Sequence, residues 1–195
     1  MKMKKNIEES ISESVRVINN SITLSNNIEK SILEITNTLK NGKKIILFGN
    51  GGSAADAQHI AAELIGHFKL KRDSLPAISL TTDSSVITSI ANDFSFDEIF
   101  SRQCESLVSD GDTVIGISTS GNSKNVFNGL KASKSIGATT IGLLGNDGGI
   151  IKNIVDVPIT VESSSTSNIQ EAHRVIYHII CQTVESEMEN YSEKT

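Results

Sequence analysis

The spacing of apolar residues changes at about residue 43, and the change separates two kinds of predicted structure. From about residue 7 to residue 39, isoleucine, valine and leucine recur every three or four positions, which indicates one or two amphipathic helices that end at Asn41 and Gly42. The period breaks near residues 19–21 or 26–27. The apolar stripes are too narrow for buried helices, so we expect these helices to pack on the body of the protein or on a second subunit.

Beyond residue 43, short apolar runs alternate with stretches of helical period. The runs have the length and β-branched content of buried strands and lie at residues 45–48, 76–80, 113–117, 139–144 and 155–161. Between and after them lie an Ala-rich segment that ends before Gly66 and helical patterns at residues 81–90, 96–108, 124–135 and 167–188. This alternation predicts an α/β fold, a doubly wound parallel sheet of the Rossmann-like three-layer type with N-terminal helices. We expect residues 1–42 to be a helical segment used for oligomerisation and residues 43–195 to be one α/β domain.

Composition narrows the classes of function. A chain of 195 residues with 37% hydrophobic residues can bury a core without disulfides, and a net charge of -5 argues against nucleic acid as the main partner. Cys104 and Cys181 are not clustered, so neither a disulfide framework nor a cysteine zinc site is expected, and a reduced, cytoplasmic setting follows. The basic N-terminus precedes a polar stretch where a signal peptide would be apolar, and no apolar run is long enough to span a membrane.

The Gly-rich turn after the first strand predicts an anion site. It reads Gly49, Asn50, Gly51, Gly52 and Ser53, and it opens the Ala-rich helix. Glycine lets the backbone approach a ligand closely, while the free amides and positive dipole of a helix N-terminus favour phosphate or carboxylate. Ser53 is expected to act as the helix N-cap or as a ligand donor. The spacing matches neither a dinucleotide fingerprint nor a Walker loop, and a plain tight turn stays open as the alternative.

Two side chains on the same helix have the spacing of metal ligands. His59 and Glu63 are four residues apart, so they share one helix face and are suited to bind one ion. A solvated polar face is the alternative that this pair alone leaves open.

A second polar loop follows the third strand. Residues 118–123 read Ser118, Thr119, Ser120, Gly121, Asn122 and Ser123, and a helix begins at about residue 124. Hydroxyl groups and helix-start amides can surround a phosphate without a lysine, although an ordinary capped turn has the same composition. In a doubly wound sheet the loops at the carboxyl ends of the strands gather at one edge, where ligands bind.

Five motifs in this order resemble one known family. They are the Gly-Asn-Gly-Gly-Ser turn, the helix with Gln58, His59 and Glu63, the segment at residues 92–94, the loop at residues 116–123 and the late segment at residues 169–178. Over roughly residues 5 to 190 the chain resembles the phosphoheptose isomerases of the sugar isomerase (SIS) domain superfamily. The resemblance implies an aldose-ketose isomerase that converts D-sedoheptulose 7-phosphate to D-glycero-D-manno-heptose 7-phosphate. That reaction opens the synthesis of nucleotide-activated heptose for surface polysaccharide such as lipopolysaccharide.

The resemblance also implies a site. Its zinc ligands map onto His59, Glu63, Gln170 and His178, with one zinc per subunit, and Glu63 and His178 are the implied catalytic base and acid. The implied substrate contacts are Asn50, Gly51, Gly52, Ser53, Asn92, Asp93, Ser118, Thr119, Ser120, Ser123 and Gln170. Members of the family are homotetramers with interfacial active sites.

Spacing alone does not select that ligand set. Gln170 and His178 are eight residues apart, about 12 Å along a straight helix, so both side chains must reach to meet one ion. His173 is closer to Gln170 along the helix and is the alternative metal ligand. Following the resemblance, we expect His173 instead to pack in the core or to hydrogen-bond to one of the metal ligands.

One departure and two other functions stay open. The family often has arginine after the glycine at position 66, where this chain has His67, which would bind substrate less strongly near neutral pH. The alternatives to the enzyme are a non-catalytic SIS protein that binds the bacterial replication initiator and a module that senses a sugar phosphate. The initiator-binding relatives lack the acid/base pair, which is present here as Glu63 and His178.

Overall fold

The computed structural model describes residues 2–192 and contains five strands and seven α-helices in that range. The strands are β1 (Ile45–Gly49), β2 (Ala77–Ser79), β3 (Thr113–Ser118), β4 (Thr139–Gly145) and β5 (Val157–Val161). The helices are α1 (Lys2–Asn20), α2 (Ser25–Lys40), α3 (Gly52–Ile65), α4 (Ser84–Asp93), α5 (Ser101–Leu107), α6 (Lys124–Ile136) and α7 (Thr166–Ser192). No helix in the described range has the length and apolarity that a bilayer crossing requires.

All five strands are parallel and their order is β2-β1-β3-β4-β5. The chain moves from β1 to β2 in one direction and from β3 to β4 in the other, so right-handed crossovers put α3 and α6 on opposite faces. Both faces of the sheet are therefore covered, and the predicted doubly wound three-layer fold is confirmed.

Strand β1 shows how the sequence specifies two cores. Its five residues are all buried, and successive side chains point to opposite faces. Ile45 and Leu47 enter a core with α2, α3 and α7, whereas Ile46 and Phe48 enter a core with α5 and α6. Phe48 stacks there on Phe100 with ring centroids 4.8 Å apart.

The N-terminal helices differ from each other in burial. A 3-10 turn at Ser21–Leu24 separates them, at the first of the two expected breaks. Helix α2 buries Ile28, Ile32, Ile35 and Leu39 in the core of the α/β body. Helix α1 buries only Val17 among its described residues and leaves Met3, Ile7, Ile11 and Val15 exposed.

Several boundaries differ from those expected. Helix α4 continues through Asn92 to Asp93, with Phe94 as its C-cap, because asparagine and aspartate lower helix propensity only slightly and do not by themselves end a helix. The expected helix at residues 96–108 is a 3-10 turn at Phe96–Glu98 followed by α5. Strand β2, at one edge of the sheet, keeps only three residues and pairs with β1 alone.

Candidate active site and metal centre

The turn from β1 into α3 depends on two glycines. Gly51 is the N-cap of α3 with φ of 55°, a backbone conformation that favours glycine. A Cβ on Gly52 would collide with the side-chain amide of Gln170, so only glycine lets that amide reach the start of α3. Of the two roles expected for Ser53, that of N-cap is wrong, because the helix begins at Gly52 and Gly51 is its N-cap. Ser53 lies inside the helix and is 4% exposed.

The loop from β3 into α6 is organised by its own hydroxyl groups. Ser118 Oγ donates to Ser123 Oγ at 3.0 Å, and Ser120 Oγ accepts from the Asn122 amide at 3.1 Å. Ser123 is the N-cap of α6, yet its side chain makes no capping hydrogen bond. The positive end of a 13-residue helix therefore opens into this loop. The Thr119 carbonyl accepts from the Asn146 amide, which links the loop to the end of β4.

A reciprocal amide pair joins the two loops. Asn50 and Asn125 each donate to the other's Oδ1, both at 2.9 Å. Strands β1 and β3 are neighbours at the point where the strand order reverses, which is where doubly wound sheets bind ligands. Asn50 and the loop at residues 118–123 therefore lie next to each other at the carboxyl edge of the sheet.

Three of the four predicted metal ligands converge. His59 Nε2 is 2.9 Å from Glu63 Oε1 and 3.5 Å from His178 Nε2. One ligand atom from each residue lies within 4.8 Å of the others. The side chains of His59 and Glu63 are 37% and 21% exposed, so the cluster is reachable from solvent. Two imidazole nitrogens and a carboxylate oxygen are donors that zinc prefers, so the residues present fit the metal.

Electrostatics at His178 favour the form that binds a metal. Burial, and after it the neighbouring His59, lower the pKa of His178 below its ordinary value. The neutral imidazole keeps a lone pair, which is what a metal ligand needs. The ring also packs against Phe68, with centroids 5.4 Å apart.

Gln170, His173, Asn92 and Asp93 have different surroundings. Gln170, one helical turn from His173, lies against Gly52 at the start of α3. His173 is fully buried, and its Nε2 donates to the Leu144 carbonyl at 2.8 Å. Asn92 and Asp93 are exposed at the end of α4, where the Asn92 amide donates to the Asp93 carboxylate at 2.8 Å. Among the described residues no hydrogen bond joins these two to the rest of the predicted site.

His67 is exposed at the position where the family often has arginine, and Arg72, the nearest arginine along the chain, does not take that arginine's place. His67 follows the end of α3, whereas Arg72 is 6% exposed. The Arg72 guanidinium donates to the carbonyls of Glu63 and Leu64 and pairs with Glu185 at 3.2 Å. It is therefore a structural link that joins the end of α3 to α7.

Sequence reasoning missed three residues that surround His59. Tyr177 Oη lies 3.1 Å from His59 Nδ1 and donates to Asp56 Oδ1 at 3.3 Å, and Arg174 donates to both Tyr177 and Asp56. Two of them could have been predicted, because residues three or four apart on a helix are neighbours. Asp56 precedes His59 by three positions, and Arg174 precedes His178 by four. The pairing of Tyr177 with His59 crosses between helices and has no local signal.

Two polar loops at the carboxyl edge of a parallel sheet, with a His/Glu cluster on the helix that leaves one of them, define a class of α/β proteins suited to bind anions or metal ions. In agreement with this geometry, the sequence profile of the SIS domain family matches residues 9–145. A phosphoheptose isomerase from Geotalea daltonii is 56% identical over 154 residues, which cover 79% of this chain and 80% of that protein. The chain belongs to the SIS domain family and, within it, to the phosphoheptose isomerases.

Solved structures agree over almost the whole chain. A phosphoheptose isomerase from Neisseria gonorrhoeae superposes with a TM-score of 0.90 at 38% identity, covering 94% of this chain and 99% of that one. A phosphoheptose isomerase from Francisella tularensis gives a TM-score of 0.92 at 30% identity, covering 95% and 100% of the two chains.

Proposed function

We propose that this protein isomerises D-sedoheptulose 7-phosphate to D-glycero-D-manno-heptose 7-phosphate, the first step toward nucleotide-activated heptose for surface polysaccharide. Identity of 56% to a curated phosphoheptose isomerase supports the reaction class. The observation that carries the proposal is the convergence of His59, Glu63 and His178 beside the ligand-binding edge of the sheet. We also propose that the enzyme acts in the cytoplasm, and the two free, buried cysteines Cys104 and Cys181 support this reducing location.

The loops are suited to hold the phosphate end of the substrate. The hydroxyls of Ser118, Thr119, Ser120 and Ser123 and the amides at the start of α6 offer hydrogen-bond donors to phosphate oxygens. His59 follows Gly52 by seven residues, about 10 Å along α3 at 1.5 Å per residue. That separation suits an open-chain heptose whose phosphate lies at the loops and whose carbonyl end lies at the cluster.

Glu63 and His178 are the proposed proton-transfer groups. The Glu63 carboxylate removes a proton from C1 of the ketose, and the electron pair forms the C1–C2 double bond of an enediol as the C2 oxygen accepts a proton from His178. Return of the proton from Glu63 to C2, with loss of the O1 proton to His178, gives the aldose. Both residues belong to the cluster, so each is positioned for proton transfer and for metal binding.

His59, Glu63 and His178 are the residues that would hold a zinc ion, with Gln170 as the fourth proposed ligand. When bound, zinc polarises the sugar oxygens and stabilises negative charge that develops on them. Gln170 is also a proposed substrate contact, and its position beside Gly52 at the start of α3 supports this role.

Assembly is proposed to be tetrameric, with active sites at subunit interfaces. The support is the exposed apolar face of α1 and a groove of about 750 Å³ between α1, α2 and α7, lined by residues that include Ile22, Leu33 and Ile179. We propose residues 1–42 as the oligomerisation segment, with Asn92 and Asp93 contributing to a site that a second subunit completes.

The test compares the parent enzyme with Glu63→Gln and His178→Gln. Losing one general acid or base typically lowers the rate on the order of 10² to 10⁴-fold, so we expect both variants to isomerise the heptose phosphate at least that much more slowly and to stop incorporating solvent deuterium. Glu171→Gln, an exposed glutamate on α7, is the matched control and should retain the parent rate.

Metal content and ligand binding measured on the same samples separate the enzyme from the two alternatives. A parent that binds the sugar phosphate without isomerising it would favour a sensing module. A parent that is inactive and binds the replication initiator would favour the initiator-binding function. Parent-like exchange in either variant would remove that residue from the mechanism.

A further inference from the structure

The hydroxyl group of Tyr177 lies among three partners in a buried position. Tyr177 is 1% exposed and Asp56 is 3% exposed, so neither relies on water for its hydrogen bonds. The Tyr177 oxygen is 3.1 Å from His59 Nδ1, 3.3 Å from Asp56 Oδ1 and 3.1 Å from Arg174 Nε. These contacts lie behind His59, on the side of the ring that faces away from Glu63.

The direction of each hydrogen bond follows from what each partner can donate. Arg174 can only donate, so the Tyr177 oxygen accepts from it. The Asp56 carboxylate can only accept, so the single Tyr177 hydrogen is best used there, where the bond is charge-assisted. A tyrosine hydroxyl carries a single hydrogen, so it can donate to only one of its neighbours.

One lone pair of the Tyr177 oxygen is then left to face His59. That lone pair is satisfied when His59 carries its hydrogen on Nδ1 and donates it. The opposite arrangement, in which Tyr177 donates to His59, would leave two oxygens facing each other without a hydrogen in a buried position, which costs free energy. With the hydrogen on Nδ1, the lone pair of Nε2 faces the Glu63 carboxylate oxygen 2.9 Å away, and a cation bound between these two acceptors would satisfy both.

We propose that Tyr177, oriented by Asp56 and Arg174, is a positioning residue that holds His59 in the Nδ1–H tautomer and so keeps Nε2 free to bind the metal. The inference rests on the proposed function, since it concerns the same metal centre. It assigns a role to residues that neither touch the substrate nor bind the ion. Hydrogen bonds of this kind behind a metal ligand typically change affinity by about 10- to 100-fold.

The experiment measures zinc affinity by competition with a chromogenic chelator on the intact protein. Tyr177→Phe keeps the buried ring and removes the hydroxyl, and we expect zinc to bind about 10- to 100-fold more weakly. Tyr191→Phe removes the same group from the second tyrosine of the chain and should bind zinc like the parent. Asp56→Asn should weaken zinc as well, because its amide can donate to Tyr177 and so turn the hydroxyl hydrogen toward His59.

A spectroscopic readout separates positioning from a general structural effect. In the zinc-loaded parent the His59 Nδ1–H proton should appear in a nitrogen-edited NMR spectrum as a slowly exchanging signal. Tyr177→Phe should expose that proton to rapid exchange while the signals of His67 and the far-ultraviolet circular dichroism stay unchanged. If Tyr177→Phe misfolds, Asp56→Asn, which preserves size and polarity, gives the same test.

The outcomes distinguish this inference from the proposed function. Parent-like zinc affinity and a protected Nδ1–H in folded Tyr177→Phe would overturn the inference and leave the isomerase intact. A parent that binds zinc but does not isomerise the heptose phosphate would overturn the proposed function and leave the positioning role standing. A parent without zinc affinity would overturn the metal centre and the inference together, before any variant is made.

Discussion

His173 should make the stability of the folded protein depend on pH below neutrality. It is fully buried, its Nε2 donates to the Leu144 carbonyl, and within residues 2–192 its Nδ1 has no hydrogen-bond partner. A proton on Nδ1 would put a charge in an apolar setting, so burial lowers the pKa of His173 from 6.5 to about 4, although the bond to Leu144 opposes the shift.

The sign and size of the effect follow from linkage. The unfolded chain binds a proton at this histidine below about pH 6.5, whereas the folded protein stays neutral there until about pH 4. Protonation therefore stabilises the unfolded state, and the free energy of unfolding falls as the pH is lowered through this range. At about 1.4 kcal/mol per pH unit, the difference between the two pKa values corresponds to a loss of about 3 kcal/mol.

The assay is urea unfolding followed by circular dichroism at a series of pH values and one protein concentration. His173→Gln preserves a donor for the Leu144 carbonyl and cannot titrate, so its unfolding free energy should fall less than that of the parent between neutral pH and about pH 4, by about 3 kcal/mol. His67→Gln, at an exposed histidine, should follow the parent. Parallel curves for the parent and His173→Gln would refute the reasoning.

Four further outcomes are expected. Ser120→Ala should raise KM for the heptose phosphate more than it lowers kcat, because a loop hydroxyl that holds the phosphate does so equally in ground and transition states, and an unchanged KM would place the phosphate elsewhere. Ile11→Glu puts a charge on the exposed apolar face of α1 and should reduce the mass measured by light scattering, whereas the neighbouring exposed change Ser12→Glu should not. Glu185→Gln should destabilise the fold by about 3–5 kcal/mol in urea unfolding, since it leaves the buried Arg72 without its ion partner, and a loss under about 1 kcal/mol would show the pair to be solvated. Chelation of zinc should abolish isomerisation reversibly, with zinc restoring it, and activity that survives complete metal removal would exclude a metal role.

The same Glu185 gives the protein a second, more acidic pH dependence. Burial alone would raise its pKa, but hydrogen bonds from the amides of Phe68, Lys69 and Leu70 and the charge of Arg72 hold it below the ordinary value. Its stabilising contribution is therefore complete above the pKa of an unfolded glutamate and is lost as the pH falls through the lower, folded value.

Local pattern determined the elements and their class. Successive side chains of a strand point to opposite faces, so a strand covered on both faces, such as β1, needs an apolar residue at every position and reads as a continuous apolar run. Runs of this kind separated by helical periods define a parallel sheet covered on both sides. The pairing of His59 with Glu63 was also predictable, because residues four apart on a helix share a face whatever the helix packs against.

Tertiary structure decided which of these local features meet. His178 reaches His59, Tyr177 reaches Asp56, and Asn50 pairs with Asn125 across separations of 75 to 121 residues, and no periodicity in the sequence specifies such contacts. The sequence likewise could not distinguish His173 from His178, which lie on one helix. Their difference arises because α7 turns His173 into the core beneath β4 and His178 toward α3, and the angle at which one helix packs on its neighbours is set by the shapes of all the side chains between them.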